Sequence, residues 1–60
     1  MLRITEHTRA RAFETTEEYR VEGITTETNE QIIDFCNRNN FGGYVYRYGQ
    51  GCARVEINID

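Results

Sequence analysis

The sequence predicts an α+β fold, in which one α-helix packs on one face of a small antiparallel β-sheet of three or four strands. The first observation is a single amphipathic helical segment, Thr28 to Phe41. The second is a pair of alternating segments after it, separated by glycines, which is typical of a β-hairpin. Two weaker strand-like segments precede the helix. We therefore expect the order ββαββ, or βαββ if the N-terminus is irregular.

Residues 1–13 carry the weakest signal, and we interpret them as extended. One set of side chains with the same parity is aliphatic, which suits a strand with one buried side. The other set is polar and should face glutamates of a neighbouring strand. A short helical turn capped by Thr5 is the alternative. The aliphatic set is Leu2, Ile4, Ala10 and Ala12; the polar set is Arg3, Thr5, His7, Arg9 and Arg11; the glutamates are Glu14, Glu18 and Glu22.

Residues 18–23 predict a second strand, because Tyr19 and Val21 alternate with Arg20 and Glu22. The polar stretch that precedes it, residues 14–18, is interpreted as a connection. The glycine at position 23 should end the strand just before the helix begins.

The helix has a start signal and an apolar face. Thr28 followed three residues later by Gln31 fits a capping box, with Thr25 and Thr26 as competing caps. The apolar face consists of Ile32, Phe35 and Cys36, and Ile33 broadens it.

The end of the helix is predicted from two asparagines. Asn39 and Asn40 both tolerate the left-handed conformation that ends many helices. If Asn40 takes that role, Phe41 can fold back over Cys36. Because a helix of this length is marginal alone in water, it must pack on the sheet.

The last nineteen residues predict the hairpin. Four aliphatic residues alternate with polar ones in the second strand, and three tyrosines alternate with Val45 and Arg47 in the first. Gly49-Gln50-Gly51 has turn chemistry. The aliphatic residues are Ala53, Val55, Ile57 and Ile59, and the tyrosines are Tyr44, Tyr46 and Tyr48. We expect the helix to cover Val55, Ile57 and Ile59.

The turn length decides where the tyrosines point. A three-residue loop with a left-handed Gly51 places Tyr48 opposite Cys52, Tyr46 opposite Arg54 and Tyr44 opposite Glu56. The tyrosines then form an outward stripe, while Val45 and Val55 lie inside. A loop of two or four residues would shift the register by one and bury a tyrosine instead. We favour the three-residue loop.

Sixty residues form a single small domain, residues 1–60. A chain of this size buries only about 60% of its extended surface, so small domains commonly add a disulfide, a metal or a partner chain. With two cysteines and one histidine, a structural zinc site is disfavoured, and we predict no metal and no cofactor. Homo-oligomerisation therefore stays open on grounds of stability.

The charge and hydropathy patterns restrict the location and the partners. The net charge is −3, all seven basic residues are arginine, and no lysine is present. An acidic chain lacks the electrostatic attraction that drives non-specific binding to nucleic acid. Neither a membrane span nor a signal peptide is visible. We expect a cytoplasmic protein with reduced thiols, with Cys36 in the core and Cys52 at a turn edge.

Catalytic motifs are absent: the chain has no phosphate-binding glycine loop, no HExxH, no paired CxxC and no serine. We therefore predict that the protein is not an enzyme. The leading hypothesis is a protein-binding module, and self-association through an edge strand or the tyrosine face is one form that this binding could take. The predicted partner-binding residues are Tyr44, Tyr46, Tyr48, Arg47 and Arg54, since tyrosine and arginine are enriched at interfaces.

A second hypothesis is a single-stranded nucleic-acid binder, in which bases stack on tyrosines among Arg47 and Arg54. Interspersed carboxylates and the absence of an RNA-binding motif count against it. In size, acidity and lack of a catalytic signature, the whole chain also resembles small proteins carried by phages and other mobile elements. Anti-CRISPR proteins are one such group, and the resemblance implies an inhibitor that occupies a surface of a host defence protein.

Overall fold

A computed structural model describes residues 1–37 and 41–59. It confirms the α+β fold, with the order ββαββ and one helix on a four-stranded antiparallel sheet. The strands lie in the spatial order β1-β2-β4-β3, so the first hairpin joins the second through β2 and β4. The elements are β1 (Arg3–Thr8), β2 (Thr16–Glu22), α1 (Asn29–Cys36), β3 (Gly43–Gly49) and β4 (Cys52–Asn58).

The predicted capping box starts the helix. The Thr28 hydroxyl accepts the Gln31 backbone N–H at 3.2 Å, and the Gln31 side chain accepts the Thr28 backbone N–H at 2.8 Å. Two backbone donors that have no partner within the helix are thereby satisfied.

The predicted helix end at Asn39 or Asn40 is wrong, because the helix ends at Cys36. Asn37 is extended, and its N–H still donates to the Ile33 carbonyl at 2.8 Å. The two proposed stop residues, Asn39 and Asn40, lie outside the described residues.

The helix lies across β3 and β4, and the core forms beneath it. Ile32 and Val55 are fully buried, and Ile57 is nearly so, as predicted. The sequence did not identify Ile24, which follows β2 and is fixed by its N–H bond to the Gly51 carbonyl at 3.0 Å. The buried apolar residues among those described are Val21, Ile24, Ile32, Ala53, Val55 and Ile57.

Two predicted core residues are exposed. Phe35 is 44% exposed because Ile32, Ile33 and Cys36 form the face toward the sheet, and Phe35 lies to one side of it. Ile59 is 37% exposed because it lies beyond the last residue of β4.

The register of the second hairpin matches the prediction along most of its length. Tyr44 pairs with Glu56, Val45 with Val55 and Tyr46 with Arg54, in each case as expected from a three-residue loop.

Near the turn the hairpin departs from the prediction. Gly49 pairs with Cys52, so two residues, Gln50 and a left-handed Gly51 at φ +73°, make the turn. The predicted pair Tyr48–Cys52 is wrong. Tyr48 is instead an extra residue in a β-bulge, which restores the register of the other tyrosines.

A second irregularity lies in β1. Ile4 pairs with Val21, but Glu6 pairs with Arg20, so Thr5 is an extra residue in the strand. The Thr5 hydroxyl donates to the Arg20 carbonyl at 3.2 Å, which stabilises this irregular backbone.

Because of the irregularity at Thr5, the predicted row of polar side chains on one side of β1 is wrong in part. His7 pairs with Tyr19 and therefore lies on the helix-bearing side of the sheet, away from the side of Arg3. Of the expected pairs with glutamates, Arg3 forms an ion pair with Glu22. Arg9 and Arg11 lie beyond the end of β1, outside the paired row.

Candidate functional site

The sheet has two chemically different faces. The helix packs on the face that carries Val21, Ala53 and Val55. The opposite face, which we call the open face, carries residues of all four strands and is polar and aromatic. Its residues, from β1 to β2, β4 and β3, are Arg3, Glu6 and Thr8; Thr16, Glu18, Arg20 and Glu22; Cys52, Arg54, Glu56 and Asn58; and Tyr44, Tyr46 and Tyr48.

The three tyrosines stand on the open face along the edge strand β3. Tyr44 is 63% exposed, Tyr46 43% and Tyr48 60%, so the predicted outward stripe is present. The alternation of the strand and the bulge at Tyr48 together place the three rings on one side.

Arginines from the two central strands adjoin these rings. The Arg54 guanidinium lies over the Tyr46 ring, 4.7 Å from its centroid, at cation–π distance. Arg20, Tyr46, Tyr48 and Arg54 line an open cleft of about 300 Å³. Arg20 was not among the predicted site residues, because its position beside Arg54 depends on the pairing of β2 with β4.

Arg47 does not belong to this surface. It pairs with the buried Ala53, so it points to the helix side of the sheet. Its Nε donates to Asn29 Oδ1 at 3.0 Å, and its Nη2 donates to the Glu27 carbonyl at 3.0 Å. Arg47 therefore ties β3 to the start of the helix. Its shared parity with Val45 was the signal that could have predicted this position.

Like charges oppose each other at the centre of the open face. Arg20 lies directly opposite Arg54, and in the neighbouring row Glu18 lies directly opposite Glu56. Directly opposed like charges destabilise a sheet. Because β2 and β4 are far apart in sequence, no local pattern predicted these pairs.

The ion pairs that Arg20 and Arg54 make on the open face are long. Arg20 Nε lies 3.7 Å from Glu6, while Arg54 Nη1 lies 3.5 Å from Glu18 and 3.9 Å from Glu56. None of these three contacts between described residues is a hydrogen bond. The two guanidinium groups thus keep their N–H donors available to an incoming acceptor.

A separate polar cluster lies on the helix-bearing side of the first hairpin. The rings of His7 and Tyr19 are stacked, with centroids 4.1 Å apart and planes inclined by 5°. His7 Nε2 lies 3.1 Å from Glu17 Oε1, and Glu17 Oε2 accepts the Ala10 N–H at 3.1 Å.

The contacts of this polar cluster shift the pKa values of Glu17 and Tyr19. The Ala10 hydrogen bond, followed by that from His7, holds the pKa of the Glu17 carboxyl below its usual value of 4.5. Desolvation, followed by the nearby Glu17 charge, raises the pKa of the Tyr19 hydroxyl. These contacts fasten β1 and the connection after it to β2.

The two cysteines are free and half-buried. Cys36 packs against the core, as predicted, and burial raises the pKa of its thiol to about 11. A thiol with this pKa is a poor nucleophile at neutral pH, since little of it is thiolate. Cys52 lies beside the turn at the start of β4, where the sequence placed it.

Two other kinds of feature, a metal site and a membrane-spanning helix, are absent from the described residues. In the part of the chain that the structure describes, no three His, Cys, Asp or Glu side chains are grouped so that they could hold a metal ion. No described helix is long and apolar enough to cross a membrane. Comparison with protein families, curated proteins and solved structures found no match.

Proposed function

We propose that this chain is a protein-binding module without catalytic activity, and that it binds through the open face of its sheet. The observation that carries the proposal is the exposed row of Tyr44, Tyr46 and Tyr48 beside Arg54 and Arg20. Tyrosine and arginine are among the residues that most often dominate binding energy at protein interfaces. We expect the module to act in the cytoplasm, where both thiols stay reduced.

The position of the tyrosines supports a role in binding, because the core does not use them. The buried cluster lies on the opposite side of the sheet, and all three rings remain in large part in contact with water. A sheet is a rigid base and a tyrosine side chain has only two torsion angles, so little conformational entropy is lost when a partner covers these rings.

The cleft supports a protein partner over a small cofactor. Its volume of about 300 Å³ is at the lower limit for ligand pockets, which are mostly apolar and enclosed. This cleft is open, and two of its four lining residues are arginines. Its size and chemistry suit a single side chain from a partner's surface.

The position of Arg47 weakens the nucleic-acid hypothesis. With Arg47 bonded to the start of the helix, Arg54 and Arg20 are the cations that line the cleft beside the tyrosine row. Glu18 and Glu56 adjoin Arg54 and would repel phosphates. The host-defence inhibitor is a particular case of the present proposal, because such an inhibitor would occupy a surface of its target.

Affinity capture with matched variants tests the proposal. Tagged wild-type protein, the double variant Tyr46→Ser/Tyr48→Ser and the control Phe35→Ser are each incubated with extract of the source cells. Phe35 is an exposed aromatic residue on the helix, away from the open face.

We expect wild type and Phe35→Ser to retain the same protein, and the double variant to retain at least tenfold less of it. Circular dichroism should show that all three chains are folded. Equal retention by the double variant would contradict the proposal. Binding of a labelled single strand at low salt by wild type, lost in the double variant, would favour the nucleic-acid hypothesis instead.

A further inference from the structure

We infer that the open face binds a second copy of this chain, face to face, about a two-fold axis that runs across the strands. The inference rests on the proposed function, since it uses the same surface and names its partner. Its basis is the order of charges on the open face, which is complementary to itself.

Two transverse rows cross all four strands at the centre of the open face. The residues within each row are paired in register from strand to strand. The rows are two residues apart along each strand, which is about 6.8 Å. The first row is Glu6, Arg20, Arg54 and Tyr46, and the second is Thr8, Glu18, Glu56 and Tyr44.

The centre of each row has an excess of one charge. Arg20 and Arg54 occupy the two central strands in the first row, and Glu18 and Glu56 occupy them in the second. Neighbouring rows compensate each other only through ion pairs of 3.5 to 3.9 Å that are not hydrogen bonds. The arrangement therefore leaves opposite charges available to a partner in a fixed pattern.

The two-fold axis runs across the strands, midway between the two rows. It places the first row of one copy over the second row of the other copy, and each strand over its own equivalent. Arg20 then faces Glu18 of the second copy, and Arg54 faces Glu56 of the second copy. The tyrosines also meet, Tyr46 against Tyr44 of the second copy.

Within the two central rows, no like charges face each other in this arrangement. At the β1 end of the rows, Glu6 faces Thr8 of the second copy. The symmetry repeats each contact, so the dimer contains four arginine–carboxylate pairs and two aromatic pairs. A two-fold axis along the strands would instead place each row over itself, with arginine facing arginine. Charge complementarity therefore selects the transverse axis.

The size of the face predicts a weak dimer. Four strands about 4.8 Å apart and seven residues long present about 450 Å² in each copy, or about 900 Å² in total. Stable interfaces bury about 1,200 Å² or more. We therefore expect association at chain concentrations of about 0.1 to 1 mM, and weaker association at high salt because these charges are partly exposed.

Sedimentation equilibrium with charge-reversal variants tests the inference. In 50 mM salt, the wild-type mass should rise from 7.1 kDa toward twice that value as the chain concentration approaches 1 mM. Arg54→Glu and Glu56→Arg should each remain monomeric, because each places like charges face to face.

An equimolar mixture of the two variants provides the decisive measurement. In a mixed dimer, the glutamate introduced at position 54 faces the arginine introduced at position 56, and the native Glu56 faces the native Arg54. We expect the mixture to dimerise at least tenfold more tightly than either variant alone. Dimerisation of the mixture also requires that both variants are folded. The control Phe35→Ser should dimerise as wild type does.

A wild-type chain that is monomeric at 1 mM, or a mixture that does not associate, would overturn the inference. If a variant does not fold, the substitute measurement is an isotope-filtered NOE spectrum of the wild-type dimer. It should show NOEs between Tyr46 of one copy and Tyr44 of the other, and a dimer without these NOEs would overturn the inference. A monomer whose capture of another protein still requires Tyr46 and Tyr48 would refute self-association and leave the proposed function standing.

Discussion

The two hairpins of this protein have different determinants of register. In β4, buried and partly exposed residues alternate without interruption, and the helix covers the buried ones. In β1, every residue is exposed, and an irregularity at Thr5 changes which side chains face the helix side. The difference shows that burial fixes register in the second hairpin, whereas local polar contacts stabilise the first.

The largest effect should follow from Ile32→Ala, which removes the fully buried helix residue above the second hairpin. Loss of a buried isoleucine side chain costs about 2–5 kcal/mol, which approaches the whole stability of a chain this small. Chemical denaturation should find the variant largely unfolded. Phe35→Ala is the control and should cost less than about 1 kcal/mol. Equal losses for the two variants would contradict the described core.

The next effect should follow from Thr28→Ala, which removes the acceptor for the Gln31 N–H at the start of the helix. Loss of a cap of this type costs about 1 kcal/mol. Thermal unfolding of Thr28→Ala should show this loss, while Thr26→Ala, the competing cap in the sequence, should behave as wild type. The reverse order of the two variants would place the helix start elsewhere.

The same substitution in both hairpins compares them directly. Ile57→Val removes a methylene from a buried side chain of β4 and should cost about 0.5–1.5 kcal/mol. Ile4→Val removes it from a side chain of β1 that is 42% exposed, and should cost under about 0.5 kcal/mol. Denaturant titration measures both. A cost for Ile4→Val as large as that for Ile57→Val would mean that burial also fixes the first hairpin.

The smallest effect should be the acid dependence contributed by Glu17. Its pKa is lower in the folded chain than the ordinary 4.5, chiefly because of the Ala10 N–H. This contribution to stability is therefore present above about pH 4.5 and is lost as the pH falls through the folded value. Glu17→Gln should lose less stability than wild type between pH 5 and pH 2.5. Denaturant titration of both chains across this pH range measures the difference, and an equal loss in the two chains would contradict the Ala10–Glu17 contact.

Much of the fold could be predicted because its signals are local. The capping box, the alternation of β4 and the left-handed Gly51 each depend on a few neighbouring residues. Together they predicted the helix start, the buried face of β4 and the outward tyrosines.

The errors arose where a contact outside the local pattern decided the outcome. Nothing in the sequence near Thr5 marks an irregularity, so the face of His7 was predicted wrongly. Phe35 has helical spacing to the core, but a short helix directs Ile32 and Cys36 at the sheet instead. The error for Arg47 is the exception, because its local parity with Val45 already placed it on the helix side, away from the tyrosines.

The candidate site was predicted only in part for the same reason. The three tyrosines and Arg54 lie within one hairpin, so a local register sufficed to bring them together. Arg20 and the opposed pair Glu18–Glu56 depend on the pairing of β2 with β4, which the sequence order of the elements does not determine.

The account depends on a sheet with one face under the helix and the other carrying the tyrosines. A NOESY spectrum of the wild-type chain tests this division directly. We predict NOEs from the Ile32 methyl groups to Val55 or Ile57, and none from Ile32 to the rings of Tyr44 and Tyr46. NOEs from Ile32 to either ring would contradict the account, because a register shifted by one residue would turn the tyrosines toward the helix.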